Sequence, residues 1–314
     1  VEHDEDIMKQ ADHIIDIGPL AGALGGYIVG QGSFKDFVLQ DSLTARYLSR
    51  RAHIDIPTKR IKSKYTISFT GARLNNLKNI SVNIPLNCIT AVTGVSGSGK
   101  STLVRDIIFQ GLMHHLGGYQ GPFKHLDSLE GDLRKIKAVE FVDQNPIGRS
   151  SRSNPVTYIK AYDDIRSLYA SQKQSKLFSL QPKHFSFNVE AGRCETCKGD
   201  GTVTIEMQFM ADVVLTCEDC KGKRFKDEIL EVRFNEKSIY DILQLTVDEA
   251  IDFFQSHQQS KLAQKLQPLK DVGLGYVTLG QSSSTLSGGE AQRIKLASFL
   301  SKGSQSMPTL FIFD

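Results

Sequence analysis

The chain has 314 residues, 40% of them hydrophobic and 23% charged, enough to bury more than one core. No stretch approaches the ~18 apolar residues needed to cross a bilayer, and the acidic start Val1-Glu2-His3-Asp4-Glu5-Asp6 lacks a signal-peptide pattern, so a cytoplasmic chain with no membrane partner is expected. A formal charge of +3 does not by itself establish a nucleic-acid partner, because local patches and not totals attract phosphates.

In chain order, the apolar pieces His13–Ile17 and Tyr27–Val29, each next to glycine, predict a strand pair closing a domain over residues 1–55. Arg46, Arg50, Arg51, Lys59, Arg60, Lys62 and Lys64 then face the single acid Asp55, which reads as a solvated basic run with a linker at 56–64. Ile80, Val82 and Ile84 alternate with Ser81 and Asn83 as a half-buried strand does. After the turn Pro85-Leu86-Asn87, the continuous apolar run Cys88–Thr93 predicts a buried strand, with Cys88 a small core residue. A helix is expected from about Lys100 until Gly117-Gly118 stops it, another near 157–171, and more around 246–270, where Thr246 and Glu249 have the form of a capping box. The missing initiator methionine and the final Phe311-Ile312-Phe313-Asp314, which reads as the middle of a strand, lead us to expect a piece of a larger protein.

Gly94-Val95-Ser96-Gly97-Ser98-Gly99-Lys100-Ser101 matches G-x-x-x-x-G-K-[ST] between an expected strand and an expected helix. Glycines let the backbone close around phosphates, Lys100 pairs β/γ oxygens, and the Ser101 hydroxyl reaches Mg²⁺. ATP with Mg²⁺ is the ligand this pattern implies.

Four of the five cysteines form two Cys-x-x-Cys knuckles, Cys194/Cys197 and Cys217/Cys220, joined by a glycine-containing hairpin. In a cytoplasmic chain this spacing points to a tetrahedral Cys₄ site for structural Zn²⁺ ahead of a redox dithiol. Between the knuckles, Val203, Ile205, Met207 and Phe209 alternate, which reads as a packed strand face rather than a wedge for DNA.

Leu286-Ser287-Gly288-Gly289-Glu290 opens a helix with Ser287 as expected N-cap and Glu290 at the box position. Following a phosphate loop and preceding the apolar strand that ends at Asp314, it resembles the signature of the ABC ATPase family, with Glu290 replacing the usual Gln. The runs Phe187–Glu195, Asp143–Arg149, Arg152–Pro155 and Gly71–Leu77 resemble, within that group, the UvrA family of DNA-damage-recognition ATPases, although Leu74 stands where an acidic residue is expected.

That resemblance implies an α/β P-loop NTPase fold of ABC type with an inserted helical and zinc-hairpin signature domain. It implies the remainder of a first ABC domain at 1–55, the ATP-binding core of a second at 65–115, an inserted DNA-binding region at 116–285 with its zinc module at 184–225, and the signature helix and Walker B strand at 286–314. Gln144 becomes the Q-loop glutamine, Asp314 the Walker B ligand of Mg²⁺ and His3 a switch histidine. Thr102 joins the phosphate loop, and Leu286 to Glu290 close on a nucleotide bound by another domain. Arg149 and Arg152, then Lys183 and Arg193, become the candidate DNA contacts.

The implied function is damaged-duplex recognition in bacterial nucleotide excision repair and loading of the damage-verification subunit UvrB, by an ATPase that is a homodimer when intact. The isolated chain is expected to bind ATP and turn it over slowly, since the family's catalytic glutamate would follow Asp314. A resistance-type relative and a transporter-type motor remain alternative readings.

Overall fold

The computed structural model describes residues 1–117, 123–148, 150, 152–207, 212–301 and 307–314. Gly118, Arg149 and Phe209 of the foregoing reading lie outside the described residues. The chain divides into two units, Val1–Arg60 and Ile61–Asp314. Among the described residues no helix is long and apolar enough to cross a membrane.

In the first unit, β1 (Ile14–Gly18) and β2 (Tyr27–Gly32) pair antiparallel, from Ile14 opposite Gly32 to Gly18 opposite Tyr27. Three short helices, α1 (Glu5–Gln10), α2 (Phe34–Phe37) and α3 (Leu43–Leu48), start on the side-chain oxygens of Asp4, Ser33 and Ser42, which satisfy otherwise orphaned amides. Ile14, Phe37, Ala45 and Leu48 form the core. The basic run is partly committed to this unit. Arg46 makes a two-pronged pair with Asp41 at 2.8 Å on each prong, and Arg51 donates to the carbonyl of Val38 at 2.9 Å.

The second unit has two cores. Strand β3 (Thr66–Ala72) lies between β4 (Ile80–Pro85) and β5 (Ser128–Gly131) in an antiparallel sheet. Strands β6 (Ala138–Val142) and β11 (Thr309–Phe313) run parallel, with Ala138 opposite Thr309 and Val142 opposite Phe313. The π-helical segment Thr102–Phe109 continues into α4 (Gln110–Leu116) and buries Ile107 and Leu112 with Ile67, Phe69, Val139 and Ile312. Phe109 packs on Phe141 with ring centres 5.3 Å apart.

The other core is mainly helical. It draws on α5 (Pro155–Tyr158), α6 (Tyr162–Ala170), α7 (Lys173–Leu177), α8 (Asp227–Glu231), α9 (Ile239–Gln244), α10 (Val247–Ser256), α11 (Ser260–Asp271) and α12 (Gly288–Leu300). The minor strands are β7 (Thr202–Ile205) with β8 (Val213–Thr216), and β9 (Arg233–Phe234) with β10 (Lys237–Ser238). Periodicity explains the packing of α10: Val247, Ala250, Ile251 and Phe254 recur at helical spacing and are all buried. Ile294 and Ala297 of α12 enter the same core, so the helix that opens at Gly288 and Gly289 is itself a core element.

Three expectations change. Cys88–Thr93 forms no strand: Ile89 is 100% exposed, and Cys88 is only half-buried, its thiol 3.5 Å from the carbonyl of Pro85. An apolar run becomes a buried strand only beside a ladder partner, and no described strand pairs with this one. The helix near 157–171 is two, α5 and α6, parted at Lys160, whose φ of 61° leaves helical space. The apolar hairpin face is not packed, since Val203, Ile205 and Met207 are all exposed and Val214 on β8 is 60% exposed.

Candidate nucleotide site and cysteine cluster

Residues Gly94 to Ser98 are exposed, and Gly99 and Lys100 are half-buried. Lys100 Nζ curls over the loop, donating to the carbonyls of Gly94 and Val95 at 2.9 Å each. The turn is held from outside by Asn76, whose Nδ2 donates to the Gly97 carbonyl at 2.9 Å. Asn75 Nδ2 reaches Thr102 Oγ1 at 3.3 Å. Glycine is required at position 99, where φ is 103° and a β-carbon would stand 2.8 Å from Asn76 Oδ1. Ser101 is exposed at the start of the helix.

That helix packs on β6 through Phe109 and brings Arg105 within electrostatic reach of Asp314. Asp314 follows β11 and its amide donates to the Val142 carbonyl at 3.3 Å. Gln144 follows β6. The carboxyl ends of parallel strands, where ligands of α/β sheets collect, therefore carry both residues side by side.

The N-terminus of α12 meets the same edge. A β-carbon on Gly288 would lie 3.1 Å from Gln144 Oε1 and 3.2 Å from its Cβ. Gln292 Nε2 donates to the carbonyls of Val142 (3.2 Å) and Asp314 (3.4 Å). Lys295 Nζ donates to the carbonyls of Asp143 (3.1 Å) and Asn145 (2.7 Å) and to the Asp143 carboxylate. Burial alone would push Asp143 upward, but hydrogen bonds from Lys295 and Asn145 outweigh it and hold the carboxyl below its ordinary value.

The expected capping box is formed. Glu290 N donates to Ser287 Oγ at 3.2 Å, and Ser287 N donates to Glu290 Oε2 at 2.8 Å. The other carboxylate oxygen accepts from the Tyr276 hydroxyl at 2.6 Å. Burial would raise Glu290, yet these donors together hold its carboxyl below the ordinary value. Leu286 and Gly289 flank this cap; His3 is exposed in the first unit, just before the Asp4 cap of α1.

The four knuckle cysteines are buried, unbridged and within 4.8 Å of one another at sulfur. Sγ separations of 3.9 Å (Cys194 to Cys217) and 3.6 Å (Cys197 to Cys220) bracket the edge of about 3.8 Å that a tetrahedron with Zn–S bonds of about 2.3 Å requires. Burial pushes the Cys220 thiol up to about 12, whereas the amide of Cys220 lowers Cys217. Four sulfurs at this spacing can all lose their protons only with a cation among them, and the donor set fits Zn²⁺. The Gly201 amide donates to Cys197 Sγ at 3.2 Å, and Cys194 N donates to the Arg224 carbonyl at 2.9 Å, tying the knuckles together.

Two arginines join this cluster to neighbouring segments of the chain. Arg152 pairs with Asp200 at 3.5 Å and donates to the Lys198 carbonyl at 3.4 Å. Arg224 donates to the carbonyl of Gly280 at 3.4 Å, a few residues before the signature. Ser283 Oγ donates to the carbonyls of Gly148 (3.2 Å) and Ser150 (3.1 Å), pinning the loop after Gln144. Arg193 pairs with Glu190 at 3.3 Å, and Lys183 is exposed on a short 3₁₀ turn.

Sequence reasoning missed Asn76, Tyr276 and Lys295. Asn76 lies within the run Gly71–Leu77, whose resemblance was visible, and Lys295 in the helix that Leu286–Glu290 opens, but their bonds reach across the fold. Tyr276 carries no local signal at all.

No family model matches the chain. Over 317 residues, 100% of this chain, it is 51% identical to the UvrABC system protein A of Clostridium tetani. The chain belongs to the UvrA family. It is 48% identical over 316 residues to the UvrABC system protein A of Aquifex aeolicus and 50% identical over 317 residues to that of Staphylococcus aureus, again across 100% of this chain. The crystal structure of UvrA2 from Deinococcus radiodurans superposes with a TM-score of 0.92 at 42% identity, covering 100% of this chain and 37% of that one. This UvrA-family chain thus spans about a third of the length of the curated relatives it matches (33% and 34%). Its fold is α/β, of the ABC ATPase type.

Proposed function

We propose that the chain is the ATP- and zinc-binding part of a DNA-damage-recognition ATPase of bacterial nucleotide excision repair. The observation that carries the nucleotide assignment is the exposed loop Gly94–Ser101, buttressed by Asn76, beside an edge that carries Gln144 and Asp314. In this reading Gly94 to Thr102 cradle the phosphates of ATP. Ser101 and Asp314 hold Mg²⁺, and Gln144 senses the metal and the attacking water. Leu286, Ser287, Gly288, Gly289 and Glu290 present a helix N-terminus to a nucleotide bound by another ABC domain, and His3 serves as switch histidine. Zn²⁺ on Cys194, Cys197, Cys217 and Cys220 supplies structure only, since all four positions are protein thiolates.

Damaged duplex DNA and the damage-verification subunit UvrB are the proposed partners of the intact, homodimeric, cytoplasmic protein. Lesions share no base-edge pattern, so recognition rests on backbone contacts and deformability. Arg149, Arg152, Lys183 and Arg193 are the proposed phosphate contacts. Arg152 would have to exchange its pairing with Asp200 for a phosphate. The test is duplex binding by the full-length protein carrying Arg149→Ala with Arg152→Ala, across a salt series. Weaker binding to every sequence with a shallower salt slope supports the assignment. Unaltered affinity and slope remove these arginines from the interface.

A further inference from the structure

We infer that Lys295 is a positioning residue that seats Gln144 on Gly288, so that Gln144 and the N-terminus of the signature helix move as one body. An ammonium group has three hydrogens. Those of Lys295 meet three acceptors, the Asp143 carbonyl, the Asp143 carboxylate and the Asn145 carbonyl. The acceptors flank Gln144 by one residue on each side. The Lys295 side chain is 12% exposed, so this charge is stable there only while the acceptors stay in place. The turn 143–145 is therefore fixed from α12, not by its own strand alone.

Gly288, Gln292 and Lys295 stand at i, i+4 and i+7, which is one face of a helix. That face grips the strand edge at three levels. Gly288 receives the side chain of Gln144, which would have to give by a few tenths of an ångström to admit a β-carbon. Gln292 bonds the carbonyls of Val142 and Asp314, and Lys295 holds the turn. Rotation of α12 must carry Gln144 with it or break the Lys295 tripod. Any role of Gln144 toward nucleotide rests on the proposed function, but the seating does not.

The test is the side-chain amide signal of Gln144 in the nucleotide-free chain, identified by its loss in Gln144→Ala. Lys295→Met keeps the stem and removes the charge. We expect it to shift both that signal and the Gly288 backbone amide, with Lys295→Arg restoring them toward the parent. Signals that stay put in a folded Lys295→Met overturn the inference. Should that variant fail to fold, Gly288→Ala decides, because its β-carbon would stand 3.1 Å from Gln144 Oε1 and press on that side chain, and an unmoved signal is again fatal.

A second arm is Mg·ATP affinity in a double-mutant cycle. Lys295→Met is expected to change affinity at least about threefold in the parent and not in Gln144→Ala. An equal change in both backgrounds means a merely structural lysine. A parent chain that binds no ATP counts against the nucleotide reading alone, and the free-state signals still decide the seating.

Discussion

Tyr276 and Glu290 are joined by a 2.6 Å hydrogen bond from the phenol to the carboxylate, while the second oxygen of Glu290 caps α12 through the amide of Ser287. The residue that departs from the usual ABC signature is thereby fully occupied as a structural cap. Glu290 is held below its ordinary value of 4.5. A lowered carboxylate stabilises the folded chain above that ordinary value, and the contribution is lost as pH falls through the native one.

Tyr276→Phe is accordingly expected to destabilise by about 0.5–1.5 kcal/mol at neutral pH. The difference should shrink as the solution is acidified below the ordinary value. Urea unfolding of the two proteins across this range checks it; a difference independent of pH would contradict the assignment.

Asn76→Ala should loosen the phosphate loop without loosening the fold, because the bond it removes lies at an exposed turn. ATP affinity is expected to fall by roughly tenfold or less, matching about 1 kcal/mol for one neutral hydrogen bond. Titration with a fluorescent ATP analogue reads this out. An unchanged affinity would mean that the loop keeps its shape without the buttress.

Removal of zinc by a chelator should open the knuckles while leaving the helical core intact. Cys194, Cys197, Cys217 and Cys220 form a cluster of their own, whereas Phe254, Leu266 and Ile294 pack without them. The expected outcome is new protease cleavage around 193–225, retained helical circular dichroism and loss of zinc from Cys217→Ser by atomic absorption. Collapse of the helical core together with the knuckles would contradict it.

The exposed hairpin and the buried helix give opposite expectations for apolar residues. Val214→Ser should alter stability by no more than about 0.5 kcal/mol, because Val214 is already in solvent. Phe254→Ala should cost about 3–5 kcal/mol, because Phe254 is wholly buried in the helical core. Comparable losses in denaturant melts would refute the placement of the hairpin.

What the sequence shows and what it hides follow the range of the interactions. The capping boxes at Thr246/Glu249 and Ser287/Glu290 close over three residues, and both form as their spacing predicts. The cysteine knuckles are similarly local, apart from one hairpin closure, and the four sulfurs meet. By contrast, the apolar composition of Cys88–Thr93 and of Val203–Met207 is silent about whether a partner covers them, and Ile89–Thr93 and Val203–Met207 are exposed. The bonds from Arg152 to Asp200, Asn76 to Gly97 and Lys295 to Asp143 depend on how separated segments fold together, and no periodicity announces them.

In the proposed function the loop ending in Lys100 and Ser101 holds the phosphates of ATP. Calorimetric titration of Mg·ATP into the chain, beside Lys100→Ala, tests it most directly. Saturable binding by the parent and its near-complete loss in the variant are expected. Absence of binding by the parent, or equal affinity in the two, would contradict it.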